Sequence, residues 1–166
     1  KEAAFRNLVT KDFPAMDGAK ELIAALHEAG FGVAVGSSGP RDNVNFVVDR
    51  LGVRSLMGAI VSGSDVRHGK PDPEIFLAAA KKLGVPPERC VVIEDATVGL
   101  RAARSAGMKC VGLVSTGRTH EELAAADMCV DSLRELSPEV LRQVISDCGF
   151  GPKSSTKITS ESPHRR

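Results

Sequence analysis

The sequence contains no tryptophan and no tyrosine, and its aromatic share is only 4%. It therefore has no aromatic stripe interleaved with basic residues, the feature on which single-stranded nucleic acid stacks. An excess of one charge is lacking as well. The 22 Lys and Arg face 21 Asp and Glu, leaving a formal net charge of +1 and no electrostatic pull toward nucleic acid or membrane. No apolar run approaches the ~20 residues of a transmembrane helix. The opening KEAAFRNLV lacks the basic-then-apolar order of a secretory signal. Cysteine is sparse and scattered: Cys90, Cys110, Cys129 and Cys148 form no CxxC and no Cys/His ligand spacing. That argues for reduced thiols in the cytoplasm over zinc or disulfides. There is no internal repeat.

What remains is ordinary globular material. The 166 residues, 42% hydrophobic and 26% charged, suit one domain with a real core. The most informative stretch is Cys90 to Gly107. The short apolar run Val91-Val92-Ile93 ends in two adjacent carboxylates, Glu94 and Asp95, and passes directly into a helical pattern opened by Thr97. Adjacent acids at a strand edge are costly unless a cation or hydrogen bonds neutralise them. Mg2+, usually held by one or two carboxylates with water and phosphate, fits such a pair better than a calcium cage. The same residues also fit a plainer role, with Glu94 capping backbone amides and Asp95 opening the helix.

The rest of the chain alternates regularly. Helical character in residues 1–9 is followed by a loop at Asp12-Phe13-Pro14, a turn at Asp17-Gly18, and a helix with Ala19, Leu22, Ile23 and Leu26 at i, i+3, i+4, i+7 spacing. Strands are predicted at Phe31 to Gly36, Ala59 to Val61, Cys90 to Asp95, Cys110 to Val114 and Met128 to Val130. Helices are predicted between them, including a short one opened by a Thr119/Glu122 capping box, with a final segment at Leu133 to Ile145. Ser37-Ser38-Gly39-Pro40 places two hydroxyls and several amides where a strand gives way to a helix. That arrangement can bind an anion or simply cap the junction, with Pro40 at the first helical position. Arg41, in the first turn of that helix, opposes the dipole and gains a reason if an anion visits. Lys70 is held between Gly69 and Pro71, ahead of a helix capped by Asp72, a setting suited to neutralising a phosphate or a carboxylate. From residue 149 onward the chain has almost no apolar content and reads as a disordered tail.

Alternating helices and strands call for a Rossmann-like α/β fold: a three-layer parallel sheet with helices on both faces and ligands beyond the carboxyl ends of the strands. Ser37, Ser38, Lys70, Glu94 and Asp95 all fall at that edge. Their residues, an apolar strand ending in Ser37, then Gly69-Lys70-Pro71-Asp72-Pro73-Glu74-Ile75-Phe76, then Val92-Ile93-Glu94-Asp95 with Gly99 four residues on, resemble motifs two, three and four of the haloacid dehalogenase (HAD) superfamily. The wording is similar to its beta-phosphoglucomutase and phosphoglycolate-phosphatase-like branch. The resemblance divides the chain into the end of a helical cap at 1–9, a core at 10–148 and a tail at 149–166.

The resemblance implies Mg2+-dependent phosphoryl transfer through a phosphoaspartate, with a small phosphorylated metabolite as substrate. Ser37 and the Ser38 amide would bind the phosphoryl group, Lys70 would neutralise it, and Asp95 with Glu94 would hold Mg2+. Arg41 and His68 would be substrate contacts that no motif secures. The family's first motif, an apolar strand ending in Asp-x-Asp-Gly, does not occur in the sequence. Asp17-Gly18 lacks both the preceding acid and the strand. In this family that strand is central, between those bearing motifs two and four, so without it two half-sheets with unpaired inner edges are expected. The expectation is of the C-terminal portion of a longer phosphatase, inactive by itself. A phosphomutase is the first alternative and a non-catalytic phosphate- or metal-binding remnant the second. A receiver-type signalling module is disfavoured because its acids precede its lysine, whereas Lys70 precedes Asp95.

Overall fold

A computed structural model describes residues 15–115 and 117–147. The expectations for a cap end at 1–9, the loop at residues 12–14, Cys148 and the tail at 149–166 lie outside the described residues. Among those described are five α-helices and five strands, alternating as far as β4: α1 (Ala19–Glu28), β1 (Ala34–Gly36), α2 (Arg41–Leu51), β2 (Ala59–Val61), α3 (Glu74–Leu83), β3 (Val91–Glu94), α4 (Thr97–Ser105), β4 (Lys109–Leu113), β5 (Met128–Val130) and α5 (Pro138–Ser146). None of the helices is long and apolar enough to cross a membrane.

Each helix forms because its apolar residues recur on one face. Leu22 and Leu26 of α1 are buried one turn apart, and Ile75, Phe76, Ala79 and Ala80 of α3 form one inward stripe. Gly84, at φ 68°, ends α3 by taking the left-handed conformation that lets its amide reach the Lys81 and Ala80 carbonyls.

All strand pairs are parallel, but they belong to two sheets. In one, β1 lies beside β2 with Ala34 opposite Ala59 and Gly36 opposite Val61. In the other, β4 is central, with Val92 opposite Cys110 and Val111 opposite Met128. Successive residues of β4 point to opposite faces. Cys110 joins a core with Ile75, Phe76, Leu100 and Ala103 from α3 and α4, and Val111 joins one with Leu22, Leu26 and Leu141 from α1 and α5. The three-layer α/β architecture follows, with helices on both faces of a parallel sheet.

Between β1 and β3 no ladder forms among the described residues. A cavity of about 540 Å³ lies there, lined by Ala34, Val35 and Gly36 on one side and Val92, Ile93 and Glu94 on the other. The residues of both strands are consequently only half-buried. The half-sheet expectation thus matches the described topology.

Several local expectations are corrected. The first strand is three residues, Ala34–Gly36, because Phe31 to Val33 make no ladder; only the Val33 carbonyl accepts a bond, from Gly58. Pro40 occupies the cap position of α2 rather than its first turn. The Thr119/Glu122 capping box forms, each backbone amide donating to the other's side chain at 2.9 and 3.2 Å, yet turns rather than a helix follow.

Candidate functional site

The carboxyl ends of β1, β2 and β3 lie on the same side of the molecule. Gly36, Glu94 and Asp95 line one cavity, and Lys70, from the loop after β2, reaches the end of β3. Its Nζ donates to Glu94 Oε2 at 2.6 Å across 24 residues of sequence. Both side chains are nearly buried, at 11% and 12% exposure. The ammonium also lies 4.8 Å from the centre of the Phe76 ring, a cation–π contact. Glu94 uses its second oxygen as well, with Oε1 accepting the Ala96 amide at 3.3 Å.

Asp95 behaves differently. It is exposed and makes no hydrogen bond or ion pair with any described residue. Consecutive residues of an extended chain point oppositely, so Glu94 faces Lys70 while Asp95 turns away.

The loop that carries Lys70 is tied down locally. Glu74 accepts the backbone amides of Arg67 and His68, which hold its carboxyl below the usual range. Pro73, not Asp72 as expected from the sequence, occupies the cap position of α3, and Asp72 one residue earlier accepts the Glu74 amide at 2.9 Å. The Lys70–Pro71 peptide is cis. His68 faces Glu74 at 3.3 Å and is exposed, so it belongs to this capping arrangement.

Ser37 follows β1 directly. Its amide continues the ladder to the Val61 carbonyl at 3.0 Å, and its Oγ accepts the Gly39 amide at 3.2 Å, leaving the hydroxyl proton to donate elsewhere. Ser38 is exposed beside it. The loop is seated on Gly63, where a β-carbon would lie 2.4 Å from the Ser38 carbonyl oxygen. Gly63 in turn donates its amide to the Gly39 carbonyl at 2.9 Å.

Arg41 is spent differently from the sequence expectation. Its guanidinium pairs with Asp65 at 2.5 Å. Asp65 also receives the hydroxyl and amide of buried Ser62 at 2.6 and 2.8 Å, and these bonds, with Arg41 nearby, keep its carboxyl below the ordinary range against the opposing effect of burial. The unfavourable dipole of α2 is thus answered by a carboxylate of the chain itself. The sequence does not mark Asp65 and Gly63, nor the contact of Phe76 with Lys70, since each role arises through contacts across a loop. A glycine after Ser62 is the one signal that could have marked a close approach.

The polar groups therefore follow strand ends: Ser37 and the exposed Ser38 after β1, and at the end of β3 a nearly buried ammonium with its own carboxylate beside the exposed Asp95. Such a set can bind and neutralise an anion bearing several oxygens. Asp95 fits a Mg2+ ligand, being an accessible carboxylate not engaged with a described residue. Glu94 lies behind it, with both oxygens in use.

Residues 2–107 match the haloacid dehalogenase-like hydrolase family. The chain is 40% identical over 128 residues to validoxylamine A 7'-phosphate phosphatase of Streptomyces hygroscopicus subsp. limoneus, a match covering 75% of this chain and 60% of that protein. Among solved structures it is similar to beta-phosphoglucomutase from Clostridium difficile, with a TM-score of 0.77 and 28% identity over 88% of this chain and 64% of that one. It is also similar to CbbY from Rhodobacter sphaeroides in complex with xylulose-(1,5)bisphosphate, with a TM-score of 0.68 and 38% identity over 73% and 55%. The chain spans about three fifths of the length of these proteins.

Proposed function

The chain belongs to the haloacid dehalogenase-like hydrolase family, and from that membership we propose that its site serves Mg2+-dependent hydrolysis of a small phosphorylated metabolite of the sugar phosphate type. The observation that carries this reading is the meeting of Lys70 with Glu94 beside an exposed Asp95 at the end of β3. Relatives named as phosphatases, and a neighbour solved with xylulose-(1,5)bisphosphate, support the substrate class.

The roles follow from the chemistry of each group. The Ser37 hydroxyl and Ser38 amide donate to phosphoryl oxygens. Lys70 presents its ammonium toward them while Glu94 fixes its position, which is preorganised stabilisation of charge that grows in the transition state. Asp95 is the residue that would hold Mg2+, whereas Glu94, paired with it in the sequence expectation, has both oxygens engaged by Lys70 and the Ala96 amide and serves to position Lys70. When bound, the ion supplies positive charge for the phosphoryl oxygens. The resemblance places the nucleophilic and acid/base aspartates on an Asp-x-Asp-Gly strand. A strand seated in the cavity between β1 and β3 would bring its carboxyl end beside Ser37, Lys70 and Asp95.

A cytoplasmic setting is part of this reading and rests on the scattered spacing of the cysteines in the sequence. Hydrolysis is preferred to mutase chemistry because the curated relative is named a phosphatase. Release of one inorganic phosphate per sugar phosphate consumed, rather than an isomeric sugar phosphate, would decide between them.

The test is phosphate release by the whole protein from a panel of sugar phosphates, with and without Mg2+. Turnover that requires Mg2+, is lost in Asp95→Asn and falls on the order of 100-fold in Lys70→Ala is expected. Near wild-type rates in either variant would overturn the site assignment.

A further inference from the structure

Gly99 lies in the first turn of α4 and is buried. A β-carbon there would stand 2.1 Å from Glu94 Cδ, 2.3 Å from its Cγ and 2.3 Å from its Oε2. No other residue can share that space with the Glu94 side chain as it stands. The backbone does not ask for glycine, because the position is right-handed helix, where alanine is the better former. The reason for glycine is therefore the side chain it admits.

A carboxylate at the end of a flexible chain usually swings aside cheaply. This one is held at both oxygens, by Lys70 Nζ at 2.6 Å and by the Ala96 amide at 3.3 Å. Swinging away breaks both bonds and leaves a nearly buried ammonium with the Phe76 ring as its remaining partner among the described residues. Within α4 the carboxylate occupies the volume a side chain would take, and that volume opens toward Lys70.

We propose that Gly99 is a positioning residue: by lacking a side chain it seats Glu94 as the fixed counter-ion of Lys70. Its consequence for turnover rests on the phosphoryl-transfer reading, whereas its control of Lys70 does not.

The test uses the reactivity of Lys70 toward acetic anhydride in this chain, quantified by peptide mass spectrometry against the exposed Lys81. Gly99→Ala and Glu94→Ala should each raise the relative rate at Lys70 several-fold while the circular dichroism spectrum is unchanged. In the Glu94→Ala background Gly99→Ala should add nothing, since the atoms it would displace are gone. An unchanged Lys70 rate in Gly99→Ala, or a further rise in the double variant, overturns the proposal. If Gly99→Ala alone unfolds, a folded double variant supports it and an unfolded one refutes it. Lys70 labelling that responds as expected in a whole protein with no phosphatase activity would leave the positioning role standing and remove the phosphoryl-transfer reading.

Discussion

The strands that border the cavity and the strand at the centre of the three-stranded sheet are similarly apolar but buried to different depths. In β4 Cys110 and Val111 are fully buried and Leu113 is 5% exposed, while every residue of β1 and β3 is only partly buried. Composition does not explain this, since Val91-Val92-Ile93 is at least as apolar as the residues of β4. The difference is that β4 has ladder neighbours on both edges, whereas β1 and β3 each face the cavity between them. Depth of burial in a parallel sheet is a property of the neighbours, not of the strand. The same edge that leaves these strands half-covered brings the polar groups together at their carboxyl ends.

The sharpest test of that contrast compares two side chains of equal size. Val111→Ala, in β4, removes packing from a fully buried site away from the cavity and should cost about 2–3 kcal/mol in urea unfolding of this chain. Val92→Ala, in β3, borders the cavity and should cost less than about half as much, because its half-buried side chain gains less from burial. Equal losses would mean that the cavity is closed in solution and the contrast false.

A smaller effect is expected where the two halves are linked. Lys70 belongs to the β1–β2 half and Glu94 to the β3–β4–β5 half, so their ion pair joins the sheets. Glu94→Gln leaves the ammonium nearly buried without its counter-charge and should cost about 1–2 kcal/mol. Adding Lys70→Met should recover part of that loss, since a neutral apolar chain no longer needs a partner. A double variant less stable than Glu94→Gln alone would show that the pair does not couple the halves.

Much of this organisation was legible in the sequence, and the residues that were not share a cause. Apolar runs ending in glycine or acids gave the strands, and the rigid Gly69-Lys70-Pro71 setting marked Lys70 as a charge-neutralising group. The adjacency of Glu94 and Asp95 could not say which acid is tied, because that depends on which face of β3 meets the loop after β2. In the sequence Arg41 has no visible counter-charge because its partner, Asp65, lies 24 residues away across α2 and β2. The Thr119/Glu122 capping box forms without a helix because a single turn satisfies both side chains. Leu123 is then the buried anchor of the segment before β5 begins.

The smallest predicted effect concerns a contact that the three-stranded half makes for itself. Asp127, just before β5, receives the Cys110 amide at 2.8 Å and the Lys109 ammonium at 3.3 Å, while its own amide donates to the Cys110 carbonyl at 2.8 Å. Burial pushes its carboxyl upward, but the Cys110 amide and the Lys109 charge outweigh that and hold it below the ordinary value of 3.8. A carboxyl depressed in the folded state adds stability that is present above the unfolded value and lost as pH falls through the folded one. Asp127→Asn should therefore cost about 1 kcal/mol near neutral pH, and its melting temperature should converge with that of the parent chain in acid, below the ordinary carboxylate range. The adjacent Cys110 thiol, pushed by burial up to about 11, stays protonated throughout that window and does not contribute to the difference. Curves that stay parallel down to strong acid would assign the loss to the hydrogen bonds of Asp127 and not to its charge, and β4 and β5 would then be joined by geometry alone.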